Sequence, residues 1–324
     1  MELRGHPAMT GAQDARPGRR KALVCIAVAA LLAAVALAGC GGTAEGADAG
    51  ATGEVHVVAA ENFWGSIAAQ LAGAKALVKS IINNPAIDPH SYEPTTDDAI
   101  ALAESRLGIV NGIGYDPWAS QLLAANPWRA RRVVNVGRLL GLTEGGNPHQ
   151  WYSPSSVQRV IAQITADLEQ LDPKDRAYFE ERRKAFETRG LATYHHLIAE
   201  IRVRYQGVPV GYSESIFQPL GQALGLRLLT PASFADAVAE GTDVTAADTE
   251  TVAEQAQHHQ IKVWVYNSQN ATPDVQRATA LARAAGIPVV TVTETLSPAS
   301  ATFESWQDAQ LERLAQALQE ATGR

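Results

Sequence analysis

The feature that most constrains the fold is an alternation of short apolar runs with longer helical segments, and it occurs twice. VHVVAA (55–60), a run over 78–82, LGIVN (107–111) and RVVNV (132–136) each read as a short strand buried on both faces. Helical spacing fills the gaps over 62–73, 97–105 and 118–125, with Thr95-Thr96-Asp97 placed to cap the second of these. The pattern returns in VPVGY (208–212), RLLT (227–230), IKVWVY (261–266) and IPVVTV (287–292), with helices expected over 247–258, 273–285 and 303–321. Strand–helix alternation of this kind implies parallel sheets covered by helices. Two sets of four strands therefore predict an α/β protein with two lobes, each a four-stranded parallel sheet flanked by helices. Ligands in such sheets bind off the carboxyl ends of the strands, so the strand exits are where a site is expected.

The two sets are separated by a helical region. Ser153-Pro154 starts a helix over 155–170, which Leu171-Asp172-Pro173 ends. Lys174 to Tyr205 then contains no proline and a single glycine, Gly190. That stretch predicts one backbone helix of about 30 residues, about 45 Å long at the usual rise. Phe179, Phe186, Leu191, Leu197 and Ile201 keep no heptad spacing, so a strut between lobes is expected rather than a coiled coil. His195 and His196 point about 100° apart on such a helix and read as surface residues. The expected borders are an N-terminal lobe at 55–171, a connecting helix at 172–206 and a C-terminal lobe at 207–324.

The first residues do not belong to this pattern. RPGRRK (16–21) is basic, Ala22 to Ala38 is an unbroken apolar run, and Leu37-Ala38-Gly39-Cys40 follows. A basic region, an apolar region and a small-residue cleavage site make a secretory signal over 1–39. The cysteine after the small residues resembles the lipobox of bacterial lipoproteins, which makes Cys40 the expected lipidation site. An uncleaved membrane anchor is the alternative reading of the same run. GGTAEGADAGATGE (41–54) reads as a flexible tether, so residues 40–54 link anchor and lobes. Residues 1–39 carry five basic and two acidic side chains, so without them the net charge moves from −7 to −10. An acidic exported chain is not a nucleic-acid binder. Of the two cysteines, Cys25 leaves with the signal and Cys40 carries the lipid, so no disulfide or thiolate ligand remains.

Two loops stand out. Asp88-Pro89-His90-Ser91-Tyr92-Glu93-Pro94 and Asn147-Pro148-His149-Gln150-Trp151-Tyr152 each place a histidine after a proline, in a chain with eight histidines. Proline fixes φ and removes a donor, so neither segment is the interior of a helix or strand. Each presents an imidazole from a stiff loop. Glu61 and Glu214 are carboxylates just past a strand, and Thr293-Glu294-Thr295-Leu296 forms the exit of the last strand. Gly112-Ile113-Gly114 also follows a strand, but Pro117 stands where a nucleotide-binding loop needs its third glycine. Trp118, Trp128 and Trp151 read as core or inter-lobe packing.

DPHSYEPT (88–95), IVNGIGYDPW (109–118), NPHQWY (147–152), GYSES (211–215), VYNSQ (265–269) and VTVTETL (290–296) together resemble the solute-binding proteins of zinc and manganese ABC importers. The motifs run in order over almost the whole chain beyond residue 55. The resemblance implies two α/β lobes joined by a long helix, with a divalent metal held between them. It assigns the ligands to His90, His149, Glu214 and Glu294, with Glu61 as a supporting or alternative acid. The family often has aspartate where Glu294 stands. Many of its zinc carriers have a third histidine in place of Glu214 and a long His- and Asp-rich loop, here reduced to GLTEGG (141–146). Both departures are compatible with manganese, while two imidazoles and two carboxylates also satisfy tetrahedral zinc.

The function expected is therefore capture of Zn²⁺ or Mn²⁺ outside the membrane and delivery to an ABC permease. The protein would be a lipid-anchored monomer on the outer face of the cell membrane, with the metal as its cargo. The alternatives are an exported metal-dependent hydrolase and a metal-stabilised adhesin lipoprotein. The chain has no H-E-x-x-H and no Gly-x-Ser-x-Gly elbow, and four protein ligands leave no position for an activated water. It is accordingly read as a binding protein and not an enzyme.

Overall fold

The computed structural model describes residues 54–87, 89 and 92–324. The expected signal, Cys40, all but the last residue of the tether, and His90 lie outside the described residues. Residues 53–324 group as one compact unit. Among the described residues, no helix is long and apolar enough to cross a membrane.

The first sheet consists of β1 (Val55–Glu61), β2 (Ala76–Ile82), β3 (Leu107–Val110) and β4 (Arg132–Asn135), in the order β2-β1-β3-β4 and all parallel. Helices α1 (Asn62–Ala72), α2 (Thr96–Glu104), α3 (Pro117–Ala125) and α4 (Val136–Leu140) connect and cover it. Thr95 caps α2 through a capping box with Asp98, which satisfies two otherwise orphan donors. Helix α5 (Pro154–Leu171) starts with Pro154 in its first turn and the Ser153 side chain accepting from Ser156 N.

The second sheet repeats the arrangement. β5 (Pro209–Tyr212), β6 (Arg227–Leu228), β7 (Val263–Asn267) and β8 (Val289–Val292) lie in the order β6-β5-β7-β8, again all parallel. After the two connector helices, α6 (Arg176–Ala185) and α7 (Ala192–Tyr205), its helices are α8 (Gln218–Ala223), α9 (Ala232–Ala239), α10 (Ala246–Gln257), α11 (Pro273–Ala284) and α12 (Phe303–Thr322). The two-lobe α/β class read from the sequence is therefore the observed one. β6 is only two residues long, although Leu229 N still donates to Val210 O of β5 at 2.9 Å.

The connector departs from expectation. Lys174–Tyr205 is not one uninterrupted α-helix: α6 and α7 are separated by a π turn over Phe186–Gly190. Leu191 N donates to Phe186 O at 2.8 Å, the i→i+5 bond of a π turn. The cause lies in the spacing of buried residues. Phe179, Phe186, Leu191, Tyr194, Ile201 and Tyr205 all face the core. Most of these steps are three, four or seven residues, but Phe186 to Leu191 is five. Five residues overshoot one side of an α-helix, and the wider turn brings both side chains back to the same face. Gly190 makes room: a β-carbon there would stand 2.8 Å from Phe186 Cδ2.

A single apolar cluster runs through both sheets. It includes Val57, Ile109, Trp151 and Val160 from the first half and Val210, Val265, Phe303 and Leu311 from the second. Phe63 stacks on Trp151 at 3.9 Å between ring centroids. Trp118 and Trp151 are buried as expected; Trp128 is not, and lies 43% exposed with the Arg131 guanidinium over its ring. Polar bridges accompany the shared core. Leu296 N donates to Asn62 Oδ1, Phe303 N donates to Ser66 Oγ, and the Tyr152 hydroxyl reaches Thr293 O and Gln310 Oε1. Residues 293–310 of the second half are thus tied to α1 and to the Trp151-Tyr152 turn of the first.

Candidate metal centre

Three buried side chains converge at the strand exits between the two sheets. His149, Glu214 and Glu294 each offer one donor atom, and these atoms lie within 4.8 Å of one another. His149 Nε2 is 3.5 Å from Glu294 Oε1. His149 and Glu214 are fully buried and Glu294 nearly so. Glu214 follows β5 by two residues and Glu294 follows β8 by two, which is where the carboxyl-end rule for parallel sheets places a site. His149 comes from the Pro148 loop of the other half, immediately before a 3-10 turn over Gln150–Tyr152.

The imidazole has a defined tautomer. His149 N donates to Asn147 Oδ1 at 3.0 Å, which identifies that atom as the amide oxygen. The same oxygen is 2.9 Å from His149 Nδ1, so Nδ1 carries the proton and Nε2 presents its lone pair to the carboxylates. Asn147 Nδ2 in turn donates to Ser215 O at 2.7 Å, joining the histidine loop to the residue after Glu214. Burial pushes the His149 pKa down to about 4, with the charge on Glu214 acting in the opposite sense. The ring is therefore neutral at ordinary pH, the form that binds a metal.

The carboxylates are held by neutral donors. Asn267 Nδ2 donates to Glu214 Oε1 at 2.7 Å and to Glu294 Oε1 at 3.0 Å. Asn270 Nδ2 donates to Glu214 Oε2 at 2.7 Å, and the Tyr115 hydroxyl donates to Glu294 Oε2 at 2.9 Å. Burial first, and then repulsion from Glu294, push Glu214 up to about 8. Two carboxylates so close in a dry cleft repel each other, and a divalent cation relieves that repulsion.

Glu61 is fully buried at the end of β1 but is not one of the three converging groups. Its carboxyl faces Asp116, and burial followed by the Asp116 charge raises its pKa well above the usual range. Burial and the neighbouring Asp116 charge both favour the protonated form of Glu61, so the two acids are more stable together when one of them holds a proton. Asp116 accepts from Asn111 N at 2.6 Å and Gly112 N at 2.7 Å, while burial lifts it to about 6. The Gly112-Ile113-Gly114 turn has positive φ at all three residues, and its N–H groups are thus partly filled by the chain's own aspartate. Asn111 continues the chain of contacts. Its side chain accepts from Trp64 Nε1 and donates to Pro148 O, the carbonyl just before His149.

The segment bearing His90 borders the same place. Pro85, Ile87 and Pro89 line a cleft together with Gln269, Asn270 and Glu294. Gln269 Nε2 also donates to Pro85 O. A second cleft reaches His149 between Tyr115, Gly146, Ser215 and Glu240.

Sequence reasoning did not single out Tyr115, Asp116, Asn147, Asn267 or Asn270. Tyr115 and Asp116 lie inside IVNGIGYDPW, Asn147 inside NPHQWY and Asn267 inside VYNSQ, and Asn270 follows VYNSQ directly. Their roles depend on which atoms face across the cleft. Asn147 alone had a local signal, since an asparagine before Pro-His is placed to accept from the next backbone N–H groups.

Fold and site together define a class: two-lobed α/β proteins with a buried His/carboxylate cluster at the strand exits between the lobes. The chain belongs to the family described as zinc-uptake complex component A, periplasmic, whose model matches residues 57–317. It is 26% identical over 155 residues to the manganese-binding lipoprotein MntA of Halalkalibacterium halodurans, covering 46% of this chain and 50% of that one. It is 24% identical over 169 residues to the high-affinity zinc uptake system protein ZnuA of Bacillus subtilis, covering 46% and 53%. The chain thus spans about half the length of these relatives. Among solved structures, a Mn-bound periplasmic metal-binding protein from Candidatus Liberibacter asiaticus superposes with a TM-score of 0.66 at 18% identity, over 82% of this chain and 99% of that one. The binding protein FpvC of P. aeruginosa in complex with Ni²⁺ gives a TM-score of 0.66 at 18% identity, over 84% and 99%. At this identity the likeness concerns the fold alone.

Proposed function

We propose that this protein captures a divalent transition metal outside the cell membrane and delivers it to the permease of an ABC importer. The observation that carries the reading is the convergence of His149 Nε2 with carboxylate oxygens of Glu214 and Glu294, all buried, at a junction between two lobes. His90 is the fourth ligand, on a loop whose described neighbours border the same cleft as Glu294. Two imidazoles and two carboxylates carry a charge of −2, which compensates M²⁺ in a site with little water. Nitrogen and oxygen donors without thiolate suit Zn²⁺ and Mn²⁺ and disfavour Cu⁺. Both metals appear in the names of relatives. Glu61, paired with Asp116, supports the site from behind the Asn111 turn and does not ligate. The metal is cargo, and the protein is a carrier without catalytic activity of its own.

The remaining architecture follows the family pattern. Residues 1–39 are removed, Cys40 carries a lipid, and 40–54 tether a monomer to the outer face of the membrane. The lobes span 55–171 and 207–324, joined by 172–206. The test is the metal content of protein purified without added metal, followed by Zn²⁺/Mn²⁺ competition and thermal melts with and without EDTA. One metal per chain and a raised melting temperature are expected with at least one of the two. No bound metal and no shift with either would overturn the reading.

A further inference from the structure

The two carboxylates of the site follow the strands on either side of β7 in the second sheet, and β7 itself ends in an amide. In the order β6-β5-β7-β8, β7 lies between β5 and β8. Tyr212 of β5 pairs with Val265, and Asn267 pairs with Val292 of β8. Two residues beyond Tyr212 comes Glu214, level with Asn267; two beyond Val292 comes Glu294. The topology therefore sets Asn267, the last residue of β7, between the two acids. Its backbone is fixed by Asn267 N donating to Ser213 Oγ at 3.0 Å. Its amide orientation is fixed as well, because Oδ1 accepts from Gln269 N at 2.9 Å. Nδ2 must then face the carboxylates, and it uses both hydrogens there.

We propose that Asn267 is a positioning residue that sets the metal preference of the site, an inference that rests on the metal-capture reading above. An amide can supply one N–H to each acid while remaining neutral. It fixes a donor on one oxygen of each carboxylate without adding a positive charge that would repel the cation. Asn270 completes the frame: its Nδ2 holds the other oxygen of Glu214 and also donates to Val238 O at the end of α9. Both oxygens of Glu214 are thus held from the side of the second lobe. Carboxylate orientation matters more to Mn²⁺, which is a hard ion suited to oxygen ligands, than to Zn²⁺, which imidazole also serves well. Loosening the acids should weaken manganese binding more than zinc binding.

Asn267→Leu separates this role from a merely structural one. Leucine keeps the volume and neutrality of the side chain but removes both donors to the acids and the acceptor for Gln269 N. Asn267→Ala removes the same contacts with a smaller side chain. Dissociation constants for Mn²⁺ and Zn²⁺ are measured by competition with a chelator, with circular dichroism as the check on folding. Groups around a metal's own ligands typically change affinity by about 10- to 100-fold. For Asn267→Leu, Mn²⁺ affinity should fall by about that factor and Zn²⁺ affinity by clearly less, whereas a merely structural role would lower both alike. Equal losses for both metals, or binding by Asn267→Leu as tight as wild type, would overturn the proposal. If Asn267→Leu does not fold, the ratio of the two constants in Asn267→Ala decides, and an unchanged ratio overturns it. Failure of the wild-type chain to bind either metal would instead reject the metal-capture reading.

Discussion

The Tyr115 hydroxyl, from the turn after β3, donates to Glu294 Oε2 at 2.9 Å, from the exit of β8. The bond crosses between the two halves of the molecule, over 179 positions of sequence. Tyr115 is 1% exposed and also packs its ring against Trp151 and His149. The residue therefore joins one carboxylate of the site to the lobe that supplies the imidazole.

Tyr115→Phe keeps the ring contacts and removes only the donor. A hydrogen bond to a charged group contributes about 1.5–3 kcal/mol, so the metal-free protein should lose about that much stability, because the bond is already present without metal. Denaturant titration measures that loss, and isothermal titration measures how much stronger the bond becomes once metal is bound. Unchanged metal-free stability would show that the bond contributes nothing; an unchanged dissociation constant would show that it is equally strong with and without metal.

His149→Ala and Glu214→Ala should each lower metal affinity by more than about a hundredfold, beyond the usual effect of residues that merely surround a metal's ligands. The Glu214 variant also removes one of two repelling buried acids, so its metal-free form should melt no lower than wild type. Elemental analysis after dialysis gives the first quantity and calorimetry the second. One tightly held metal per chain in purified Glu214→Ala would remove Glu214 from the ligand set.

The Glu61–Asp116 pair predicts a pH dependence of metal-free stability. The pKa of Asp116 is raised in the folded chain, from 3.8 to about 6. The folded state therefore holds more protons than the unfolded state in that window, and stability is lost as pH rises through it. Two pH units correspond to about 3 kcal/mol. Glu61, raised in the same direction, extends the loss to higher pH. Glu61→Gln mimics the protonated acid and should flatten the profile, leaving the variant more stable than wild type at pH 8. Urea denaturation between pH 4 and 8 measures it, and parallel profiles for the two proteins would be the contrary result.

Gly190→Ala tests the π turn. The new methyl would stand 2.8 Å from the buried ring of Phe186. Overpacking of this sort costs about 1–3 kcal/mol, more than the gain of about 1 kcal/mol from replacing glycine by alanine in a helix. Denaturant titration should show a net loss of about 1 kcal/mol, with metal affinity unchanged because the turn is remote from the site in the chain's topology.

The fold class was legible because its cause is local. VHVVAA, LGIVN, VPVGY and IKVWVY are too short and too apolar to be anything but buried strands, and the helical segments between them force parallel pairing. The Pro148-His149 loop and the carboxylates at strand exits were legible for the same reason, since a proline or a strand end marks its neighbours along the chain. The bulge in the connector was not. Its signal, a five-residue step between Phe186 and Leu191, has meaning only once both are known to face the same core.

The sequence alone determined which residues carry donor chemistry and at which strand ends they stand, because strand, turn and proline preferences act over a few positions. The tertiary structure decided what surrounds them. Only the order β6-β5-β7-β8 sets the Asn267 amide between Glu214 and Glu294, and only the packing of the halves brings Tyr115 to Glu294 and turns Glu61 toward Asp116. Those contacts join residues from 27 to 179 positions apart, and a hydrogen bond across such a distance is written in the geometry of the folded chain rather than in any local pattern.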